Sequence, residues 1–172
     1  KPPKPLLQRR DIFEVVERVA FDGETVIALN MASLDTVIDR IAEANYDAVA
    51  VALLHAYAAP DHERQIRDRL YQRLPDIDVS ISSEVSPKFR EYERTNTTVA
   101  NSYVKPIVSR YVTHLEEAFS GKGFRNEFFI MQSSGGLVSP EFARNFPIRI
   151  VESGPAAGVL MARDAAAEEG FD

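Results

Sequence analysis

Two histidines and two carboxylates fall within nine residues, His55-Ala56-Tyr57-Ala58-Ala59-Pro60-Asp61-His62-Glu63. Imidazole and carboxylate are the side chains that move protons or hold divalent metals. This group straddles the end of an apolar run and the start of a helical one, and it lacks the HExxH spacing of a zinc helix. A polar cluster at a strand end fits it better than a metal site does. Asp61 and Glu63 are also what the first turn of a helix favours for dipole reasons. Ligands in open α/β sheets bind at strand ends, which makes His55 a candidate cleft residue.

Three further segments have types and spacing that bear on chemistry. Gln132-Ser133-Ser134-Gly135-Gly136 follows the apolar Phe128-Phe129-Ile130-Met131. Adjacent glycines let a backbone approach a ligand, and consecutive N–H groups can form an anion nest. The same residues also make a tight connection to Leu137-Val138, and neither a following Lys nor a GxGxxG pattern is present. Ser153-Gly154-Pro155-Ala156-Ala157-Gly158 opens a helix whose free amides suit an anion and whose small residues suit close packing. A well-capped buried helix has the same composition.

The last segment runs from Lys88 to Thr98. Arg90, Glu91, Glu93 and Arg94 are spaced to pair along a helix, and a solvated face is the ordinary outcome. Thr95, Asn96, Thr97 and Thr98 are mediocre helix formers, so this polar patch, if partly buried, favours a binding cleft. His114, farther along the same helix, reads as a surface residue.

The elements that position these residues are legible from periodicity. Residues 12–16 and 26–29 read as strands about an Asp22-Gly23 turn, and Pro2, Pro3 and Pro5 keep the entry segment out of a central strand. From Ser33, which is placed to cap, Leu34, Val37, Ile38 and Ile41 share a helical face. Residues 48–54 are apolar throughout, as in a strand covered on both sides. Pro60 and Asp61 open a second helix carrying Ile66, Leu70 and Leu74. Ile77, Val79 and Ile81 then alternate with Asp78, Ser80 and Ser82, a strand with one polar face. Ser86-Pro87 starts a long helix to Gly121 with a stripe of Phe89, Tyr92, Asn96, Val99, Tyr103, Ile107, Tyr111 and Leu115. Pro106 should kink or split it. Strands at 128–131 and 148–151 flank a short helix from Ser139-Pro140, before the final helix from Ser153.

Alternating helix and strand gives an α/β fold with crossover helices and a mixed sheet. Its divisions are an extended hairpin segment (1–30), a crossover unit (31–85), and a long helix, buried strand and last helix (86–172). Composition narrows the function. Lys+Arg number 20 against 26 Asp+Glu, a net charge of −6, which lacks the basic footprint of non-specific nucleic-acid binding. There is no Cys, hence no disulfide scaffold, thiolate metal site or Cys nucleophile. No apolar run reaches the roughly 20 residues of a membrane span. A soluble, cytoplasmic protein without membrane or nucleic-acid partners is expected. With 172 residues starting at Lys1, the sequence reads as a piece of a larger protein.

Four segments in order resemble the hydantoinase A/5-oxoprolinase family. They are Leu53-Leu54-His55-Ala56-Tyr57 with Pro60-Asp61-His62-Glu63; Ser83-Glu84-Val85 with Arg90-Glu91-Tyr92-Glu93-Arg94-Thr95; Met131-Gln132-Ser133-Ser134-Gly135-Gly136-Leu137; and Ser153-Gly154-Pro155-Ala156-Ala157-Gly158. The third departs mildly, with Ser134 where the family usually has Asn. The resemblance implies an actin-like (ribonuclease H-like) ATPase fold with two glycine-rich phosphate loops, between which this segment would lie. It implies an ATP-dependent hydrolase of cyclic amides of the hydantoin or 5-oxoproline type. ATP and Mg²⁺ would be held by the two loops, with no tight binding to this segment alone and no metal ligand in it.

The resemblance also implies partners, namely the remaining parts of the same chain and a second, B-type subunit. His55, Gln132, Ser133, Ser134, Gly135 and Gly136 would line the cleft. The helix of Ser153, Gly154, Pro155, Ala157 and Gly158 would connect the lobes at a hinge. Arg90, Glu91, Glu93, Arg94 and Thr95 remain a polar patch, and no catalytic residue is assigned. A subunit of an acetone-type carboxylase is the alternative within the family. A non-catalytic α/β interaction domain is the alternative outside it.

Overall fold

Asp22 and Gly23 turn the chain as their residue types demand. Gly23 takes a left-handed φ of 91° and donates to the Ala20 carbonyl (3.0 Å), while the Asp22 carboxylate accepts the Glu24 N–H (3.1 Å). The turn joins β1 (Arg18–Val19) to β2 (Thr25–Ile27) as an antiparallel pair in the computed structural model, which describes residues 6–170. The reading of Pro2, Pro3 and Pro5 lies outside the described residues. Residues 12–16 form no strand, although Phe13 and Val15 pack against the core. The chain divides into two compact units, Lys1–Tyr103 and Val104–Asp172.

In the first unit, α1 (Met31–Ala44) starts before the expected Ser33. Asn30 is the cap, its side chain accepting the Ser33 N–H (2.9 Å). Ser33 Oγ instead accepts the Val16 N–H (3.0 Å), tying the preceding segment to the helix. β3 (Ala48–Val51) and β4 (Asp78–Ile81) pair in parallel, in register from Ala48↔Asp78 to Val51↔Ile81. Parallel neighbours need a long crossover, and α2 (Asp61–Arg73) supplies it. Leu34, Ile38 and Ile41 of α1 join Ile66 and Leu70 of α2 and Val51, Val79 and Ile81 of the strands in one core.

One expectation about the following segment needs correction. Ser86-Pro87 does not start the long helix. The one-turn helix α3 (Ser82–Val85) precedes it, and α4 (Glu91–Gly121) begins five residues after Ser86. Pro87 biases the residue before it away from helix, and Ser86 accordingly sits at φ −150°, ψ 75°. The polar side of β4 is buried: Ser80 and, just after the strand, Ser82 are closed to solvent, and Asn101 Nδ2 of α4 donates to Ser80 Oγ (3.0 Å).

Pro106 does not split α4, which runs on to Gly121. Which face it buries also runs against its hydrophobic pattern. Phe89 just before it and Tyr92, Tyr103, Ile107 and Tyr111 along it are exposed, whereas Arg94, Thr98, Asn101, Ser102 and Lys105 are buried. Thr97 and Thr98 hydroxyls donate back to the carbonyls of Glu93 (2.7 Å) and Arg94 (2.8 Å), which lets weak helix formers sit there with their polar atoms satisfied. His114 is exposed.

In the second unit, β5 (Ile130–Met131) and β6 (Leu137–Val138) form an antiparallel pair. The strand expected at 128–131 is shortened to β5 and only half-buried, with Phe129 exposed. α5 (Pro140–Asn145) is capped by Ser139, whose Oγ accepts the Phe142 N–H (3.2 Å). No strand forms at 148–151: Pro147–Arg149 is a single 3-10 turn. Pro147 lacks a ladder donor, and its ring fixes a turn-compatible φ. The last helix is α6 (Ser153–Glu168). Among the described residues the strands make three two-stranded sheets, not one mixed sheet.

Candidate functional site

The carboxyl ends of β3 and β4 lie side by side in the first unit, and the chain after each is held by one buried carboxylate. Glu63, in the first turn of α2, is fully buried. Its Oε1 accepts the Leu53 N–H (2.9 Å) and the Ser82 hydroxyl (2.6 Å), and its Oε2 accepts the Ser83 N–H (2.8 Å). Arg94 of α4, 1% exposed, closes the frame from the other side. Nε donates to Ser82 Oγ (3.1 Å), Nη1 to the Lys88 carbonyl (2.8 Å) and Nη2 to the Leu53 carbonyl (2.7 Å). Buried charges are strongly unfavourable unless their hydrogen-bonding capacity is met, and here the carboxylate accepts three bonds and the guanidinium gives three.

His55 sits at the edge of this frame in a left-handed conformation, φ 58°. For a residue with a Cβ that conformation costs about 1–2 kcal/mol. Its carbonyl accepts the N–H groups of Ala58 (2.9 Å) and Ala59 (3.2 Å), which hold the turn. The imidazole packs edge-on to Tyr57 (6.1 Å), whose ring also faces the Arg94 guanidinium (5.5 Å). His55 Nδ1 is 3.9 Å from Glu91 Oε1, beyond hydrogen-bond range. Both atoms are closed to solvent and have no hydrogen-bond partner, as is Ser83 Oγ.

The remaining members of the His55–Glu63 cluster point elsewhere. His62 is buried with Nδ1 2.7 Å from Glu17 Oε2, and Asp61 is exposed beside Arg64 (3.4 Å). Among the described residues no three His, Asp or Glu side chains converge to hold a metal ion. The helix-start patch divides as well. Arg90 and Glu93 pair in solvent (3.4 Å) and Thr95 is exposed, while Glu91 and Arg94 turn toward His55.

In the second unit, the Gln132–Gly136 turn is closed by its own backbone. Gln132 N–H donates to the Gly136 carbonyl (2.7 Å), Gly135 N–H to the Gln132 carbonyl (3.0 Å) and Ser133 N–H to the Arg149 carbonyl (2.9 Å). Ser133 Oγ lies against the carbonyls of Arg149 (3.0 Å) and Val151. Gly135 has φ 88°, and a Cβ there would meet Leu160 Cδ1 of α6 at 3.5 Å. Glu152, left-handed at φ 61°, leads into α6 without a side-chain cap. Around Gly154 and Gly158 the space that a Cβ would enter is open.

A phosphate nest needs free N–H groups, and three in this turn are engaged. In the first unit, each nitrogen of the Arg94 side chain is engaged and the neighbouring charges are carboxylates. Neither place fits the phosphates of ATP, and among the described residues no group of three His, Asp or Glu side chains could hold a Mg²⁺ ion.

Comparison with known proteins decides the family. Residues 2–74 match the profile described as hydantoinase/oxoprolinase N-terminal region, and residues 94–172 match the one described as hydantoinase/oxoprolinase. The chain belongs to the hydantoinase/oxoprolinase family. Among its relatives in that family is the caprolactamase subunit alpha of Pseudomonas jessenii, 32% identical over 91% of this chain and 23% of that protein. The acetone carboxylase beta subunit of Xanthobacter autotrophicus is 32% identical over 92% of this chain and 22% of that one. The crystal structure of the ATP-dependent caprolactamase from Pseudomonas jessenii superposes with a TM-score of 0.90 at 30% identity, over 99% of this chain and 25% of that chain. This chain therefore spans about a quarter of the length of these relatives. The α/β class read from the sequence, with its place in the actin-like ATPase fold, is borne out by the match.

For this hydantoinase/oxoprolinase chain, the fold explains why separate family-like segments go together. Leu53, His55 and Tyr57, then Glu63, then Ser83, then Glu91 and Arg94 meet around one frame in the first unit. Gln132, Ser133, Ser134, Gly135 and Gly136 belong to the second, packed on the helix of Ser153, Gly154, Pro155, Ala157 and Gly158. Sequence reading assigned Glu63 to the helix dipole and overlooked Ser82. The signal was present: Glu63, Ile66 and Leu70 share one helical face, so the carboxylate faces the core. Among the described residues no helix is long and apolar enough to cross a membrane.

Proposed function

We propose that this chain is part of an ATP-dependent cyclic-amide hydrolase of the hydantoin or 5-oxoproline type. It supplies cleft walls and a hinge, while ATP and Mg²⁺ are held by other parts of the longer protein. The observation that carries the reading is the likeness, in sequence and in structure, to the ATP-dependent caprolactamase of Pseudomonas jessenii. The chemistry of the first-unit site supports it. A neutral lactam or imide offers a carbonyl acceptor and an N–H donor, which suit an imidazole beside carboxylates better than a phosphate does. In this reading His55 and the Gln132–Gly136 turn face the cleft, and the Ser153 helix connects the lobes. The protein works in the cytoplasm with a second, B-type subunit.

The test is ATP consumption by the full-length protein, with its co-purifying subunit, given hydantoin, 5-oxoproline or caprolactam. Substrate-dependent ADP release with an opened-ring product is expected. An ATPase that instead requires acetone and bicarbonate would assign the carboxylase branch, which the equal identity to the acetone carboxylase beta subunit keeps open. No ATP turnover under any of these conditions would favour a non-catalytic interaction domain. Titration of Mg-ATP into the 172-residue chain should show no tight binding. A sub-micromolar Kd would overturn the assignment of the nucleotide site to other parts of the protein.

A further inference from the structure

The Glu63–Ser82–Arg94 frame is fully hydrogen-bonded, but the pair at its edge is not. His55 Nδ1 and Glu91 Oε1 face each other at 3.9 Å, each shut from solvent and each without a hydrogen-bond partner. Buried polar atoms are ordinarily satisfied, so an unsatisfied donor–acceptor pair this close needs an explanation. A small rotation of either side chain makes the bond, because the shortfall from hydrogen-bond distance is under 1 Å. The pair has three other features of a working site. His55 is held in a left-handed backbone conformation, an unfavourable one for a residue with a Cβ, in a turn that its own carbonyl closes. Its side chain is about a quarter exposed although Nδ1 is closed off, so the open surface belongs to the rest of the side chain. It also lies just past the carboxyl end of β3, where parallel strands present ligand contacts.

We propose that His55 is a catalytic residue, the proton carrier in hydrolysis of the amide, and that Glu91 is its positioning residue. Glu91 accepts the Nδ1 proton and fixes the tautomer, leaving the Nε2 lone pair directed outward. Arg94 Nη1, 3.7 Å from the same Glu91 oxygen, holds the carboxylate in place, and Tyr57 braces the ring. The charged groups facing the imidazole are therefore Glu91 and, behind it, Arg94. Nε2 takes a proton from water as the water oxygen bonds to the amide carbon and the carbonyl π pair moves onto its oxygen. That pair then re-forms the carbonyl as the C–N bond breaks with its electrons on nitrogen, and Nε2 gives the proton to that nitrogen. An O–H and a C–N bond are lost, and a C–O and an N–H bond are gained.

This inference rests on the hydrolase reading, and its test separates the two. In the full-length protein, His55→Gly relieves the left-handed strain, so folding is not at issue, and it opens space for added imidazole. General acid–base groups contribute roughly 10²–10⁴-fold, so kcat for ring opening should fall at least 100-fold with KM little changed. Imidazole in the buffer should restore part of the loss. Glu91→Gln should lower kcat about tenfold at unchanged KM, in the range seen for outer positioning partners. Nitrogen-15 NMR of histidine-labelled protein should show His55 protonated on Nδ1 in the wild type and on Nε2 in Glu91→Gln.

Wild-type turnover in His55→Gly, or the same tautomer in both proteins, overturns the pair even where the enzyme opens cyclic amides. An enzyme that opens no cyclic amide overturns the hydrolase reading and the proton-carrier role with it, and the tautomer still decides whether Glu91 holds His55.

Discussion

Ser82 is the smallest member of the buried frame and the one on which both charges depend. Its hydroxyl donates to Glu63 and accepts from Arg94, so removing it leaves each charged group one partner short. Ser82→Ala should lower stability by about 1–3 kcal/mol, the usual consequence of an unsatisfied buried group. Arg94→Met should cost more, about 3–5 kcal/mol, because it leaves the Leu53 and Lys88 carbonyls and Ser82 Oγ without their buried donor. Urea unfolding followed by circular dichroism measures both, and equal midpoints for wild type and Arg94→Met would remove the case for a structural frame. Asp35 gives a residue-scale prediction of a different kind. Hydrogen bonds from Arg69 (2.8 and 3.0 Å) hold its carboxyl below the usual value, joining α1 to α2. A depressed folded-state value contributes stability above the unfolded carboxylate value, about 3.9, and loses it as pH falls through the lower folded value. Asp35→Asn should therefore unfold at lower urea than wild type at pH 7. The gap should close as the pH drops below about 4, and a gap constant down to pH 2 would contradict the linkage.

At the scale of elements, periodicity located α1, α2, β3 and β4 because each buries a regular apolar set against the same core. It misplaced the start of α4 because Ser-Pro is both a helix opening and a break, and here α3 comes first. It could not foresee that α4 buries Arg94, Thr98 and Asn101 in place of its aromatic stripe, since the partners of those polar atoms come from distant segments. The apparent strand at 148–151 failed for a related reason: its apolar residues are β-like, but Pro147 imposes a turn and the Arg149 and Val151 carbonyls meet Ser133. The site was legible to the same degree. His55 stood out by type and position, whereas Ser82 has no signature outside the fold. The 132–136 turn supplies the test at this scale. Gly135 combines a φ of 88° with a Leu160 methyl 3.5 Å from where a Cβ would lie. Gly135→Ala should cost about 1–2 kcal/mol from backbone strain alone. Thermal unfolding of the variant reads this, and an unchanged Tm would show that the turn relaxes.

For the molecule as a whole, the informative surface is α6, which buries none of its residues in this chain. Val159 and Met161 are exposed, and nothing stands within 4 Å of a Cβ added at Gly154 or Gly158. A helix with an unburied apolar face and bare glycines is intrinsically weak, since each interior Gly lowers helix stability by roughly 0.5–1 kcal/mol relative to Ala. If local stability were the only demand, Ala would serve better at Gly158. The proposed hinge role makes a different demand: close approach of another backbone, which only a missing side chain permits. The two demands predict opposite signs in two settings. In the 172-residue chain, Gly158→Ala should raise stability by about 0.5–1 kcal/mol, because helix propensity is then the sole term. In the full-length protein, where the relatives carry about four times this length, Gly158→Val should instead destabilise and slow ATP turnover, because the methyls meet the facing segment. Urea unfolding of the short chain and turnover by the long one give the two signs. Full activity of Gly158→Val in the long protein would place α6 on an open surface and dissolve the hinge. A loss there, beside a gain for Ala in the short chain, would tie these glycines to packing outside this segment.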